Sequence, residues 1–201
     1  MNTKTNNNRL VLLLIGGIPV VMILAATWLW YYVASGKLDL VDVLGTANRG
    51  TLLDPPRQVA ELPLRAQQGE AMIVDVQQPN WTILVPVAGA CDEKCAQVLY
   101  YTRQIHTAMG KYGPRIQRVM LRQEGAPELD ETLLREHPKL KVLYTSAAGF
   151  AGLFADIAGP GGQLGYYVVD PAGWMMMAYD RDADGKDIMA DLKFLLKNSD
   201  G

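Results

Sequence analysis

The sequence predicts an α/β sandwich preceded by a single N-terminal transmembrane helix. Three observations predict it: an uncharged apolar run near the N-terminus, short apolar segments rich in β-branched residues, and amphipathic helical segments that alternate with them. With 201 residues, the chain is long enough for one globular domain and an appendage. Its formal charge of −2 and its lack of a basic stripe give no electrostatic case for nucleic-acid binding.

The appendage is the apolar run at residues 10–33, which contains no charged side chain. As a helix this run is about 36 Å long, enough to cross a hydrocarbon core of about 30 Å. Two tryptophans and two tyrosines lie between positions 28 and 32, where an interfacial aromatic belt is expected. The alternative is a cleaved signal peptide, but the run is longer and more aromatic than the roughly 7–15-residue apolar region of such a peptide.

The charges before the run predict its orientation. Lys4 and Arg9 precede it, so the positive-inside rule makes residues 1–9 a cytoplasmic tail. The layout indicates a single-pass protein of a bacterial inner membrane with its C-terminal part in the periplasm. That compartment is oxidising, and a disulfide persists there.

Residues 34–69 are predicted to form a stalk and an irregular arm, because Gly, Pro and Asn punctuate them without a sustained helical period. Residues 70–201 are predicted to form the globular domain. Its expected elements, in order, are an edge strand at 71–77, a strand at 81–88, a helix at 91–113, a strand at 115–122, a short helix at 126–138, a brief strand at 141–145, a helix at 146–159, strands at 164–170 and 173–180, and a helix at 184–198. A parallel first strand pair, a closing hairpin and a covering helix make this a thioredoxin-like sandwich. The alternative is an unrelated α/β sandwich with a coincidental cysteine pair.

Cys91 and Cys95 are the candidate site. They follow the buried strand and lie one turn apart on the same face of the predicted helix. Amides at a helix N-terminus favour a thiolate, whereas the carboxylates of Asp92 and Glu93 oppose it. A thiolate pair suits thiol–disulfide exchange and also Cu(I), and a structural disulfide is the third interpretation.

Other soft or titratable residues are weaker candidates. His106 lies eleven positions after Cys95, about 16 Å along the helix axis, so it cannot share a metal ion with the pair. His137 is predicted to be an ordinary loop residue. The Met175–Met177 run is predicted to fill the core, with Met176 on the opposite face from its neighbours.

Two further sequence patterns indicate weaker candidates. Pro160 lies near the place of the cis-proline that thioredoxin-like enzymes keep beside their cysteines, although two glycines follow it. Residues 180–191 have EF-hand-like spacing, but Asp187 stands where an apolar residue is usual. A solvated turn with Asp184 capping the last helix explains that stretch more simply.

The segments WTILVPVAGACDEKC, HPKLKVLYT and YYVVDPAGWMMMAYD, together with the anchor, resemble the SCO/SenC group of membrane-anchored copper chaperones for cytochrome c oxidase. The resemblance covers roughly residues 70–197. It implies that Cys91 and Cys95 bind copper with a distant histidine and act in thiol–disulfide exchange on the copper-site subunit. The stretch in which the family has that histidine reads AGPGGQLGYYVVDP here and contains none, so the chain looks like a divergent relative.

The sequence therefore favours an assembly factor that matures the copper site of cytochrome c oxidase through thiol–disulfide exchange. Cys91 and Cys95 are expected to bind Cu(I) weakly. Its expected partners are the inner membrane and oxidase subunits or other assembly factors. One alternative is a general periplasmic thiol–disulfide oxidoreductase. The other is a non-catalytic scaffold with a structural disulfide, so the enzyme question stays open at this point.

Overall fold

The computed structural model describes residues 3–35, 48–66, 69–75, 77–155, 157 and 165–199. The chain divides into two compact units, residues 1–47 and residues 48–201.

The first unit contains helix α1, Thr3–Ala34. Its segment Val11–Ala34 is 24 residues long, has a mean hydropathy of 2.4 and buries none of its side chains within the protein. At 1.5 Å per residue, this segment is about 36 Å long. The predicted anchor helix is therefore present and is long and apolar enough to cross a membrane.

The second unit is built on one mixed sheet. In the described residues its strands are β1 (Thr51–Gln58), β2 (Leu64–Ala66), β3 (Gly69–Ala71), β4 (Trp81–Val87), β5 (Ile116–Gln123), β6 (Leu140–Thr145), β7 (Gly165–Val169) and β8 (Trp174–Asp180). Their spatial order is β1-β8-β7-β4-β5-β6-β2-β3. β4, β5 and β6 are parallel, whereas β7 and β8 form an antiparallel hairpin beside β4.

Helices cover both faces of this sheet. They are α2 (Glu93–Ala108), α3 (Glu131–Glu136), α4 (Ala147–Phe154) and α5 (Gly185–Asn198), with a 3₁₀ helix at Gly110–Arg115. Alternate residues of the strands point to opposite faces, so the sheet has two cores. The α2-side core includes Trp81, Ile83, Val85, Val87, Cys95, Leu99, Met120, Ile188 and Leu192. The α4-side core includes Leu84, Val119, Leu121, Phe150, Phe154, Tyr167 and Met175. The predicted thioredoxin-like sandwich is confirmed.

Strands β1 and β2 lie where the sequence predicts an irregular arm, and for residues 51–58 and 64–66 that prediction is wrong. β1 pairs antiparallel with β8, and the register shifts between Leu52 and Arg57. This irregular stretch contains Pro55 and Pro56, which cannot donate ladder hydrogen bonds. β1 is mostly exposed and is held by backbone pairing with β8, so its side chains carry little strand pattern.

The predicted edge strand at 71–77 is also misplaced, because β3 ends at Ala71. Asp75 instead makes a turn, since its Oδ1 accepts hydrogen bonds from the amides of Gln77 and Gln78 at 2.9 and 3.2 Å. The predicted helix at 146–159 is shorter and ends at Phe154.

Candidate functional site

The two cysteines form a disulfide with their Cα atoms 5.1 Å apart. β4 ends at Val87 and α2 begins at Glu93, so both cysteines lie at the strand-to-helix junction, by the carboxyl ends of the parallel strands. The junction therefore places the sulfur pair at one edge of the sheet.

Asp92 determines where α2 begins. It is the N-cap residue, and its Oδ1 accepts a hydrogen bond of 2.9 Å from the amide of Cys95. Cys91 lies one residue before the N-cap, so the expected helix start at Cys91 is two residues early. Because Asp92 already binds the Cys95 amide, that donor is not available to Cys91.

The two sulfur-bearing residues differ in exposure. Cys95 is 1% exposed and belongs to the α2-side core. Cys91 is half-buried and packs against the same core from its edge. Cys91 is therefore the member of the pair that a reaction partner reaches.

A buried arginine, which was not among the predicted site residues, supports the loop before Cys91. Arg122 is the last residue but one of β5 and lies opposite Val87. It is 1% exposed and donates from Nη2 to the Gly89 carbonyl at 2.9 Å. Its guanidinium carbon lies 5.9 Å from the centre of the Tyr144 ring. Its Nε and Nη1 are buried and have no hydrogen-bond partner among the described residues. The sequence signal was a pair of arginines four residues apart within an apolar strand, which places both on one face.

The other arginine of that pair, Arg118, lies further from the cysteines. It is buried on the α2 side, and its Nη1 donates to Thr102 Oγ1 at 3.4 Å. Burial lowers the pKa of Arg118, and the charge of Arg103 lowers it further. Arg118 therefore has a helix-facing contact in the middle of α2 rather than at its N-terminus.

His137 follows the short helix in a loop, as the sequence predicts, but it is buried. It caps the C-terminus of α3 and is 3% exposed, and its Nδ1 has no hydrogen-bond partner among the described residues. Burial lowers its pKa, and the neighbouring charges of Arg118 and Arg103 lower it further. His137 is therefore a buried, neutral imidazole near two guanidinium groups.

His106 lies in the last turn of α2, away from the cysteines. Its Nε2 donates to the Ile116 carbonyl at 3.1 Å, which ties the end of α2 to the start of β5. Across the part of the chain that the structure describes, no group of three or more His, Cys, Asp or Glu residues could hold a metal ion.

The methionines of β8 fill the cores, but their predicted alternation is wrong. Val168 pairs with Met177 and Val169 with Met175, so the strand bulges at Met176. As a result Met175 enters the α4-side core and Met177 the α2-side core. The thioethers of both are buried.

The acidic stretch at 180–191 supports the last helix. Asp184 is the N-cap of α5 and accepts a hydrogen bond of 2.9 Å from the Lys186 amide. Asp191 is buried and accepts a hydrogen bond from the Tyr179 hydroxyl. Pro160 and the glycines after it lie outside the described residues.

The donor set fits copper only in part. Reduction of the disulfide would free two thiolates, which suit linear Cu(I). Among the described residues, no His, Asp or Glu joins the two cysteines in a group of three that could hold a metal ion.

Several solved structures of Sco proteins are similar to this chain in fold. The solution structure of apo Sco1 from Thermus thermophilus is 21% identical, with a TM-score of 0.56 over 75% of this chain and 98% of that chain. Yeast Sco1 with copper bound is 16% identical, with a TM-score of 0.52 over 76% of this chain and 91% of that one. Arabidopsis thaliana ScoI with copper bound is 14% identical, with a TM-score of 0.53 over 75% and 99%. At these identities the likeness shows a thioredoxin-like fold.

The family follows from the sequence match. The model of the family described as "Transmembrane-like, thioredoxin-like, C-terminal domain" matches residues 81–199, more than half of the chain. The chain therefore belongs to this family. No curated protein matches it in sequence.

Proposed function

We propose that this protein is a membrane-anchored thiol–disulfide exchange factor that helps mature the copper site of cytochrome c oxidase. The observation that carries the proposal is the disulfide between a half-buried Cys91 and a buried Cys95 at the start of α2. A pair with one reachable and one protected sulfur suits an attacking thiol and a resolving thiol.

The exchange follows from this asymmetry. In the reduced protein, the Cys91 thiolate attacks one sulfur of a partner disulfide, forms a mixed disulfide and releases one partner thiolate. The Cys95 thiol then gives its proton to solvent and attacks the Cys91 sulfur. The Cys91–Cys95 disulfide forms, the second partner thiolate leaves, and two electrons have passed to the partner.

The N-terminal helix supports a location for the thiol–disulfide exchange. The helix Val11–Ala34 and the basic residues before it support a bacterial inner membrane, with residues 1–9 cytoplasmic and the cysteines in the periplasm. Reduced copper-site thiols must be maintained there against oxidation. The proposed assignment also includes Cu(I) as cargo on the two thiolates, because two soft sulfur donors suit that ion.

Trapping of the mixed disulfide tests the proposal. The reduced full-length chain in detergent is mixed with the oxidised copper-site domain of an oxidase, as wild type, Cys95→Ser and Cys91→Ser. We expect Cys95→Ser to accumulate the mixed disulfide, since its resolving thiol is absent, and Cys91→Ser to accumulate none.

The pattern of products separates the other functions. Equal trapping of oxidised glutathione and of the copper-site domain would indicate a general periplasmic thiol–disulfide oxidoreductase. No mixed disulfide with either substrate would indicate a scaffold with a structural disulfide, and the proposal would then fail.

A further inference from the structure

We propose that Arg122 is a positioning residue for the cysteine pair, which fixes the loop before Cys91 and stabilises its thiolate through the guanidinium charge. The inference rests on the proposed thiol chemistry and assigns a role to a side chain outside the C-x-x-x-C motif. It concerns the reduced protein, in which the Cys91 thiol gives its proton to water.

A hydrogen bond to Gly89 joins Arg122 to the loop before Cys91. β4 ends at Val87, so residues 88–92 connect the strand to α2, and Gly89 lies in the middle of this connection. The Gly89 carbonyl accepts a hydrogen bond of 2.9 Å from Arg122 Nη2. The rigid strand β5 thus holds the loop two residues before Cys91.

Arg122 lies on the same face of the sheet as Cys91. Residues 116, 118, 120 and 122 of β5 point to the same face, and Ile116 and Met120 belong to the α2-side core. Cys91 packs against that core as well. Arg122 and Cys91 therefore share one face at the carboxyl ends of the strands.

Arg122 has no ion-pair partner among the residues that the structure describes. The ion pairs among the described residues join Arg49 to Asp187, Arg65 to Glu124 and Arg181 to Asp182, and none of them uses Arg122. Its Nε and Nη1 are buried without a hydrogen-bond partner in the same set of residues. A buried cation without a carboxylate stabilises a negative charge nearby, and the Cys91 thiolate is such a charge.

The expected size of the effect follows from Coulomb's law. Two residues of chain span at most about 7 Å, so the guanidinium and the Cys91 sulfur are on the order of 10 Å apart. At an effective dielectric constant of about 20, that separation corresponds to a shift of about one pKa unit in the thiol.

The test measures the acidity of Cys91 directly. In the full-length Cys95→Ser chain, which keeps Cys91 as its single thiol, the rate of alkylation by iodoacetamide is followed against pH. Arg122→Gln removes the charge and keeps an amide donor, whereas Arg122→Lys keeps the charge. The matched control is Arg118→Gln, which removes a buried arginine on the same face of β5. Its Cα atom lies about 13 Å along the strand from that of Arg122.

We expect Arg122→Gln to raise the Cys91 pKa by about one unit, and Arg122→Lys and Arg118→Gln to change it much less. An unchanged pKa in a folded Arg122→Gln protein, or an equal rise in Arg118→Gln, would overturn the inference. If Arg122→Gln does not fold, the Cys91 pKa in the Cys95→Ser chain with Arg122 intact is compared with that in the same chain unfolded in urea. Equal acidity in the two states would then overturn it.

This measurement needs no exchange partner, so it is independent of the trapping experiment. Suppose that the Cys91 pKa depends on Arg122 but no mixed disulfide forms. This result would refute the proposed function and would still support the role of Arg122. Efficient trapping of the mixed disulfide, together with a Cys91 pKa that does not depend on Arg122, would support the proposed function and refute the role of Arg122.

Discussion

The hydroxyl of Tyr179 donates a hydrogen bond of 2.7 Å to Oδ2 of Asp191, which joins β8 to α5. The same carboxylate oxygen accepts from the backbone amides of Arg49 and Gly50, at 2.8 and 2.9 Å. Burial raises the pKa of Tyr179, and the hydrogen bond to Asp191 raises it further, so the phenol stays protonated and remains a donor. The buried carboxylate thus ties the first residues of the globular unit to the hairpin and the last helix.

Tyr179→Phe is expected to destabilise the globular unit by about 1.5–3 kcal/mol, because the buried Asp191 carboxylate loses the hydrogen bond from the Tyr179 hydroxyl. Urea unfolding of the full-length chain in detergent measures the change as a lower midpoint at constant slope. Tyr100→Phe is the matched control, since Tyr100 is exposed on α2. Equal midpoints for the two variants would contradict the role of the hydrogen bond.

Gly50→Ala is expected to cost about 1–3 kcal/mol, a typical value for overpacking. A Cβ at Gly50 would lie 2.5 Å from Cζ of the Tyr179 ring, whose position the Asp191 hydrogen bond fixes. Gly152→Ala in α4 is the control, because its Cβ meets nothing within 4 Å and a helical alanine is favoured over glycine. A thermal melt that shows Gly50→Ala to be as stable as wild type would contradict the close packing.

Stability is expected to fall as the pH is lowered below about 6.5, the ordinary pKa of histidine. Burial, Arg118 and Arg103 lower the pKa of His137 in the folded protein. Between the lowered pKa and the ordinary one, the unfolded chain binds more protons, so the free energy of unfolding rises with pH across that window.

His137→Gln should flatten this slope, and His106→Gln should leave it in place. Urea midpoints from pH 5 to pH 7.5 measure it for both variants. A His137→Gln slope equal to that of wild type would assign the pH dependence to other groups.

Cu(I) binding is expected to depend on the cysteines alone among the described soft donors. The reduced chain, titrated with Cu(I) against a competing chelator, should bind up to one ion, and Cys91→Ser should lose it. His106→Gln should keep it, since His106 lies in the last turn of α2 and bonds to the Ile116 carbonyl. Equal copper on wild type and Cys91→Ser would remove the cargo role, and loss in His106→Gln would refute the two-sulfur site.

The central elements could be predicted because their own side chains specify them. The run WTILVPV is buried at every position of β4, and the acidic start of α2 supplies the capping carboxylate of Asp92. The C-x-x-x-C motif placed both cysteines at this junction.

The features that escaped prediction depend on tertiary contacts. β1 exists because the edge of β8 offers it backbone partners, and its own exposed side chains do not encode the pairing. Arg122 was not singled out because a charged strand residue usually faces solvent, and only the fold buries it beneath the Gly89 loop. The bulge at Met176 likewise follows from pairing with β7 rather than from the methionines.

The reduction potential of the Cys91–Cys95 disulfide tests the central claim most directly. The full-length chain in detergent is equilibrated with glutathione buffers of graded ratio, and the dithiol fraction is counted by alkylation and mass. Thiol–disulfide exchange predicts a potential between about −270 and −120 mV, the range of working oxidoreductases. A potential below about −300 mV would mark a structural disulfide and would contradict the proposed function.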